Sequence, residues 1–367
     1  MDIFSTSHCF FNSLNFREWL SLKLQQHTNY SFKGKLNYIG SKYKLSSFLF
    51  ETISQTVGSD LSNNLFCDLF AGTGIVGRTF KTKVKQVIAN DVEFYSYVLN
   101  RNYIGNHNAF NFKEKIELLN NLKGKKGFIF SEYSQGGEKG RNYFTAENGQ
   151  KIDAIRHQIE TWKKSSKINE DEYYFLLASL LESADKVANT ASVYGAYLKH
   201  IKKSAAKTLV IEPAIFEETK TQHQVFQEDS NQLIHKIEGD ILYMDPPYNV
   251  RQYGANYHLL NTIAKMDTFV PKGVTGLPKY YKSNYCRAGK VLENFTKLIE
   301  NAHFKFIFLS YNNEGLMSQK EVQKIMEQFG NYDLTTKEYQ RFKADKTQNR
   351  NHKASKTVEY LHILEKK

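Results

Sequence analysis

Residues 65–77, LFCDLFAGTGIVG, leave the chain few folds to choose from. A short apolar run (65–70) leads into a glycine-spaced turn, and the turn leads into residues suited to a helix. An apolar run without polar alternation suits a strand covered on both faces, the habit of parallel sheets. The segment 84–90, VKQVIAN, reads as the next strand, and GIVGRTFKT between them is short enough to be a crossover helix. Strand, helix and strand then make a βαβ unit, which predicts an α/β architecture.

Elsewhere that rhythm is kept, broken and resumed. Residues 46–57 space Phe48, Leu49, Ile53 and Val57 along one helical face. Residues 123–150 scatter Gly124, Gly127, Gly136, Gly137, Gly140 and Gly149 among polar residues, which predicts loops or hairpins. Two amphipathic helices follow, one spacing Ile152, Ile155, Ile159 and Trp162, the other Leu176, Leu177, Leu180, Leu181, Ala184 and Val187. With the basic stretch KHIKKSAAK (199–207) they read as an insertion with its own small core. After about residue 225 the α/β text returns. DILYM (240–244) and FKFIFLSY (304–311) read as buried strands, and VEYLHILEK (358–366) as the last one. Ser318-x-x-Glu321 is a capping box for a helix bearing Val322, Ile325, Met326 and Phe329, with Gly330 expected to close it. A length of 367 residues suits one large domain with an insertion, or two domains.

Gly72, Gly74 and Gly77 fit G-x-G-x-x-G, and Asp91 stands 19 positions after Gly72, where the second strand ends. Such a turn lets a ligand approach the helix start, and an acid at that distance can accept both hydroxyls of a ribose. Alone, this fits a nicotinamide dinucleotide as well as any other nucleotide. Asp68 shifts the balance by sign. A carboxylate beside the turn repels a pyrophosphate but suits the amino group of a methionine moiety, favouring S-adenosylmethionine; the competing role for Asp68 is to cap the following helix.

Asp245-Pro246-Pro247-Tyr248 follows the apolar strand directly. Two prolines fix two φ angles and remove two donors, leaving stiff chain with free carbonyls. The Asp245 carboxylate and the Pro246 carbonyl form an acceptor pair matching the two hydrogens of an exocyclic amine, and Tyr248 offers a face for stacking. Paired hydrogen bonds would draw the nitrogen of an adenine amine towards tetrahedral geometry and localise its lone pair. Alignment and fixed dipoles of this kind are worth several kcal/mol each, on the order of magnitude. The chemistry requires a base turned out of its stack. A plain proline turn with Tyr248 as packing is the alternative.

Lysine and arginine outnumber aspartate and glutamate by 50 to 38, a net charge of +12, which fits a polyanionic partner. KYYKSNYCRAGK (279–290) and residues 337–356 mix cations with aromatics or lack acids, and with Lys199, Lys202, Lys203 and Lys207 they suggest a DNA-facing surface. Lys282, Arg287, Arg341 and Lys343 are the candidates in those stretches. Cys9, Cys67 and Cys286 form no C-x-x-C, and neither H-E-x-x-H nor the zinc deaminase signature occurs, so no metal is expected. With no signal peptide and no long apolar span, the expectation is a cytoplasmic protein away from membranes.

On these residues the chain resembles the alpha-group DNA adenine-N6 methyltransferases, the DNA adenine methylase family. LNYIGSKYKL (36–45) resembles the segment whose lysine contacts the cofactor, here Lys42 with Tyr38 nearby. CDLFAGTG (67–74) resembles the cofactor loop, with Asp68, Phe70, Gly72 and Gly74 in it. VFQEDSNQLI (225–234) resembles the segment whose acid, here Asp229, meets the cofactor's adenine, and LYMDPPYN (242–249) the catalytic segment. The resemblance implies a Rossmann-like methyltransferase fold with a mostly parallel seven-stranded sheet, built from residues 1–110 and 225–367. Residues 111–224 would be a mainly helical target-recognition insertion. It further implies S-adenosylmethionine as cofactor, double-stranded DNA as substrate, a monomer, and a restriction endonuclease acting separately as partner. Other readings stay open: a cytosine-N4 or RNA amino-methyltransferase, a nicotinamide dehydrogenase, or a DNA-binding protein without catalysis.

Overall fold

A computed structural model describes residues 36, 38, 40–340 and 356–367. A 3-10 turn (Lys42–Leu45) opens it, followed by helix α1 (Ser46–Val57), strand β1 (Leu65–Asp68), α2 (Ile75–Lys81), β2 (Gln86–Asn90) and α3 (Phe94–Asn100). Four helices occupy the middle: α4 (Lys113–Asn121), α5 (Phe128–Tyr133), α6 (Ala146–Lys164) and α7 (Glu170–Lys186). The last third holds β3 (Gln224–Phe226), α8 (Ser230–Leu233), β4 (Glu238–Met244), α9 (Tyr253–Asn256), α10 (His258–Lys265), α11 (Ala288–Asn301), β5 (His303–Asn312), α12 (Gln319–Met326), β6 (Gly330–Gln340) and β7 (Lys356–Lys366).

The seven strands form one sheet in the order β3-β2-β1-β4-β5-β7-β6. Pairings from β3 to β5 are parallel, while β7 runs antiparallel to both β5 and β6. This is the expected α/β, mostly parallel fold. One face packs Cys67, Leu242, Met244, Ile307 and Leu309 against Val291, Phe295 and Leu298 of α11 and Val322 and Met326 of α12. On the other face Phe66 stacks on Phe80 of α2 with ring centroids 4.0 Å apart. Helices on both faces explain why the central strands carry apolar residues continuously.

Two expectations need correction. Gly330 does not close α12, which ends at Met326; it begins β6, where a Cβ would lie 2.1 Å from the Glu365 carbonyl oxygen. Residues 337–340 are not free basic loop but the end of β6, an edge strand whose half-exposed Tyr332 and Leu334 alternate with exposed residues. Residues 341–355 lie outside the described residues.

The glycine-rich middle is more helical than its composition suggests. α5 starts after Gly127, and Gly149 sits inside α6 because a helix there passes Ser134 at backbone distance. The irregular run after α7 is held by side chains instead of a ladder. Asn148 accepts from Leu209 N–H (2.8 Å), Asn120 from Ile211 N–H (2.8 Å) and Ser179 from Ala214 N–H (2.9 Å). These satisfy backbone groups that would otherwise be buried unpaired. Residues 34–367 cluster as one unit. Within it Arg156 of α6 is buried and donates to the carbonyls of Ile263 (3.1 Å) and Ala264 (3.0 Å) at the end of α10.

A Cβ at position 149 would fall 1.9 Å from Ser134 Oγ and 3.3 Å from Phe130 Cα. Gly149→Ala is therefore expected to destabilise the protein by about 1–3 kcal/mol, as overpacking does, measurable as a lowered denaturant midpoint.

Candidate active site

The order of strands reverses at β1, which has β2 on one side and β4 on the other. In an open α/β sheet the crevice beyond the strand ends at such a point is where ligands bind. The glycine turn leaves β1 and Asp245-Pro246-Pro247-Tyr248 leaves β4, so the two motifs, far apart in sequence, open into one cavity. Tyr38, Lys42, Asp68, Phe70, Gly72, Asp91, Asp229, Asp245 and Pro247 all line it. Gly74, Pro246 and Tyr248 do not.

Gly72 and Gly74 adopt φ of +52° and +78°, values that favour glycine. The Tyr38 hydroxyl would be 3.3 Å from a Cβ on Gly72, so Tyr38 lies along the turn. Tyr38 is fixed by stacking on Tyr257, with centroids 4.7 Å apart, and by the Tyr95 hydroxyl, which donates to its own (3.2 Å). Gly74 instead serves as N-cap of α2. Asp91 accepts from the N–H groups of Gly72 and Glu93, both at 2.9 Å, which aims its carboxylate along the turn.

Asp68 is 1% exposed; its Oδ2 accepts the Gly77 N–H (3.0 Å), as a helix-capping role requires, but Oδ1 has no partner among the described residues. Burial pushes the carboxyl up to about 8; the Gly77 N–H opposes this, and the carboxylates of Asp245 and Asp91 add to it. An orphaned, desolvated carboxylate oxygen beside a cavity fits a cationic group. Six acids line the cavity, Asp68, Asp91, Glu93, Glu228, Asp229 and Asp245, against one cation, Lys42. Such a wall disfavours a pyrophosphate and suits a ligand carrying an ammonium and a sulfonium.

The Lys42 ammonium is held between two carboxylates, 3.1 Å from Asp245 Oδ1 and 2.7 Å from Glu359 Oε1. Although burial opposes it, those charges keep Lys42 well above its ordinary value. Asp245 is pushed up to about 6, first by burial and then by Glu359, with Lys42 pulling it down. Tyr248 stands edge-on to Tyr311, centroids 6.5 Å apart, and its carbonyl accepts from Leu316 N–H (2.9 Å).

Sequence reasoning turned the stretch 279–290 outward as a whole, and here the structure differs. Tyr281 donates to Asp229, Tyr285 donates to Asn231 Oδ1 (3.0 Å), and both rings line the cavity, Tyr285 edge-on to Phe70 at 5.1 Å. Lys282 and Arg287 alternate with them and remain exposed. Among the other basic candidates, Lys199 and Lys203 are exposed, whereas the Lys202 ammonium donates to the Thr190 carbonyl (2.6 Å). Arg341 and Lys343 lie outside the described residues. Glu359 was missed altogether, since nothing in an apolar strand text marks one acid as buried. Among the described residues no group of three His, Cys, Asp or Glu side chains could hold a metal ion, and no helix is long and apolar enough to cross a membrane.

Residues 38–325 match the family of D12 class N6 adenine-specific DNA methyltransferases. The chain is 63% identical over 332 residues to the type II methyltransferase M.NlaIII of Neisseria lactamica, covering 90% of this chain and 99% of that protein. It is 42% identical over 318 residues to M.CviAII of Paramecium bursaria Chlorella virus 1, covering 84% and 93%. Against M.FokI of Planomicrobium okeanokoites it is 39% identical over 347 residues, covering 90% of this chain but 53% of that protein. The acidic cavity at the reversal of strand order and these matches agree: the chain belongs to the D12 class of N6 adenine-specific DNA methyltransferases.

Proposed function

We propose that this enzyme modifies double-stranded DNA at a specific sequence, taking a flipped-out adenine into the space beside Asp245 as the modification component of a restriction–modification system. The observation that carries the reading is the opening of Asp245 into a cavity lined by Asp68 and Asp91 at the reversal of strand order. Asp68 receives the cofactor's ammonium, Asp91 its ribose hydroxyls, and Asp229 its adenine, with Tyr38, Phe70, Gly72 and Gly74 shaping the turn around it. Lys42 contributes charge at the boundary between cofactor and substrate. Bound S-adenosylmethionine supplies a methyl group on a sulfonium whose sulfur leaves as a neutral thioether. The Asp245 carboxylate and Pro246 carbonyl accept the two hydrogens of the target amine, and Asp245 takes the proton that the methylated nitrogen sheds. Pro247 stiffens this turn and Tyr248 stacks on the displaced base.

Residues 111–224 act as the target-recognition insertion on a catalytic domain of 1–110 and 225–367. Lys199, Lys203, Lys282 and Arg287, all exposed, contact phosphates. A separate cognate endonuclease and a cytoplasmic site of action belong to this reading; relatives named as type II methyltransferases and as modification methylases support the modification role. The enzyme works as a monomer.

Transfer of labelled methyl groups to unmethylated DNA, followed by nucleoside analysis, is expected to yield N6-methyladenine; N4-methylcytosine or labelled RNA would overturn the proposed target. Asp245→Ala leaves Lys42 its Glu359 partner, so the fold should survive. It is expected to lower turnover by about a thousandfold or more while cofactor affinity stays within a few-fold, as read by single-turnover kinetics and calorimetry.

Asp68 must be ionised to receive a cation, and its free-state value stands near about 8. Affinity for S-adenosylmethionine is therefore expected to weaken as pH falls below that value, by up to about tenfold per unit. Asp68→Asn should bind more weakly and flatten this dependence. Titration calorimetry at several pH values makes the comparison, and a flat wild-type profile would remove Asp68 from the ammonium site.

A further inference from the structure

Glu359 is 0% exposed on β7, opposite Asn312 of β5 and Lys337 of β6 in register. Its Oε1 receives both the Lys42 ammonium (2.7 Å) and the Ser310 hydroxyl, while Oε2 has no partner among the described residues. A half-satisfied buried carboxylate weakens a fold, so its presence calls for a reason other than stability. The distances supply one. Lys42 sits nearer to Glu359 than to Asp245, which it approaches at 3.1 Å. Were Glu359 absent, Lys42 and Asp245 would form a one-to-one ion pair in a poorly hydrated site, and a neutral amine would compete with a full cation for the carboxylate.

We infer that Glu359 is a positioning residue for methyl transfer: by taking the closer share of the Lys42 ammonium, it leaves the Asp245 carboxylate open to the substrate amine. The inference rests on the reading of Asp245 as the acceptor of that amine. The groups around Asp245 are Lys42 from the 3-10 turn, Glu359 from β7, Asp68 from β1, Tyr243 from β4, Tyr253 from α9 and Tyr248 in its own turn. Of these, Lys42 and Glu359 act on its charge in opposite senses.

Glu359→Gln keeps the shape and removes the charge. It is expected to reduce kcat by about tenfold or more with KM for cofactor and DNA within about threefold. The acid limb of kcat should move to lower pH, because Asp245 loses a negative neighbour and gains Lys42. Glu359→Asp, which keeps the charge, should recover most of kcat. A Glu359→Gln enzyme with wild-type kcat and acid limb, altered only in thermal stability, overturns the inference. Should Glu359→Gln fail to fold, Ser310→Ala releases the hydroxyl that fixes Glu359; a few-fold loss of kcat at constant KM supports the role, and an unchanged kcat rejects it. Asp245→Ala assayed in parallel separates the two failures. Its retained activity would overturn the reading of Asp245, whereas an inactive Asp245→Ala beside an unaffected Glu359→Gln rejects the role of Glu359 alone.

Discussion

The parallel pairing of β1 with β4 is the constraint on which the site depends. Phe66, Cys67 and Asp68 stand in register with Ile241, Leu242 and Tyr243, so both strands end at the same level. The chain leaves β1 through a glycine turn and β4 through two prolines, one flexible in φ and the other fixed. Neither strand supplies a complete site. Side by side, they bring Asp245 close enough for its charge to help raise the Asp68 carboxyl.

Charge then organises what the backbone has assembled. One lysine among six acids would be a liability in a cavity meant for phosphates, and here it pairs with Asp245 of the cavity and with the buried Glu359. Because burial raises Asp68 to about 8, the site carries less negative charge at neutral pH than its composition implies. Tyr38, Tyr95, Tyr253 and Tyr257, packed ring against ring behind the glycine turn, provide a stiff backing for those carboxylates. Rigid support of this kind lets fixed groups act without reorganising.

Much of this was legible in the sequence because it depends on local rules. The glycine turn, the acid 19 residues later, the capping box at Ser318 and the proline pair after β4 each state their geometry within a few residues. What was not legible depends on distant partners. β6 lacks an apolar run because an edge strand needs only one covered side, and its alternation is faint beside its charges. Gly149, inside α6, looks like loop text because sequence does not reveal that Ser134 passes against it. Tyr281 and Tyr285 read as a basic, aromatic exterior because the sequence does not reveal that Asp229, the N-cap of α8, and Asn231 within it meet them. Glu359 needed both Lys42, more than 300 residues earlier, and Ser310 before its burial made sense.

The irregular stretch after α7 carries a consequence of its own. Asn120, Asn148 and Ser179, which hold its backbone, are anchored in helices, not in the stretch itself. Its course from Leu209 to Ala214 is therefore dictated from outside, by residues that do not change when its own side chains do. Such a segment resembles a printed line whose spacing is set by the frame: individual letters can be replaced without resetting the page. Val210, exposed between the held residues Leu209 and Ile211, is free to drift while the fold and the chemistry at β1 and β4 stay intact.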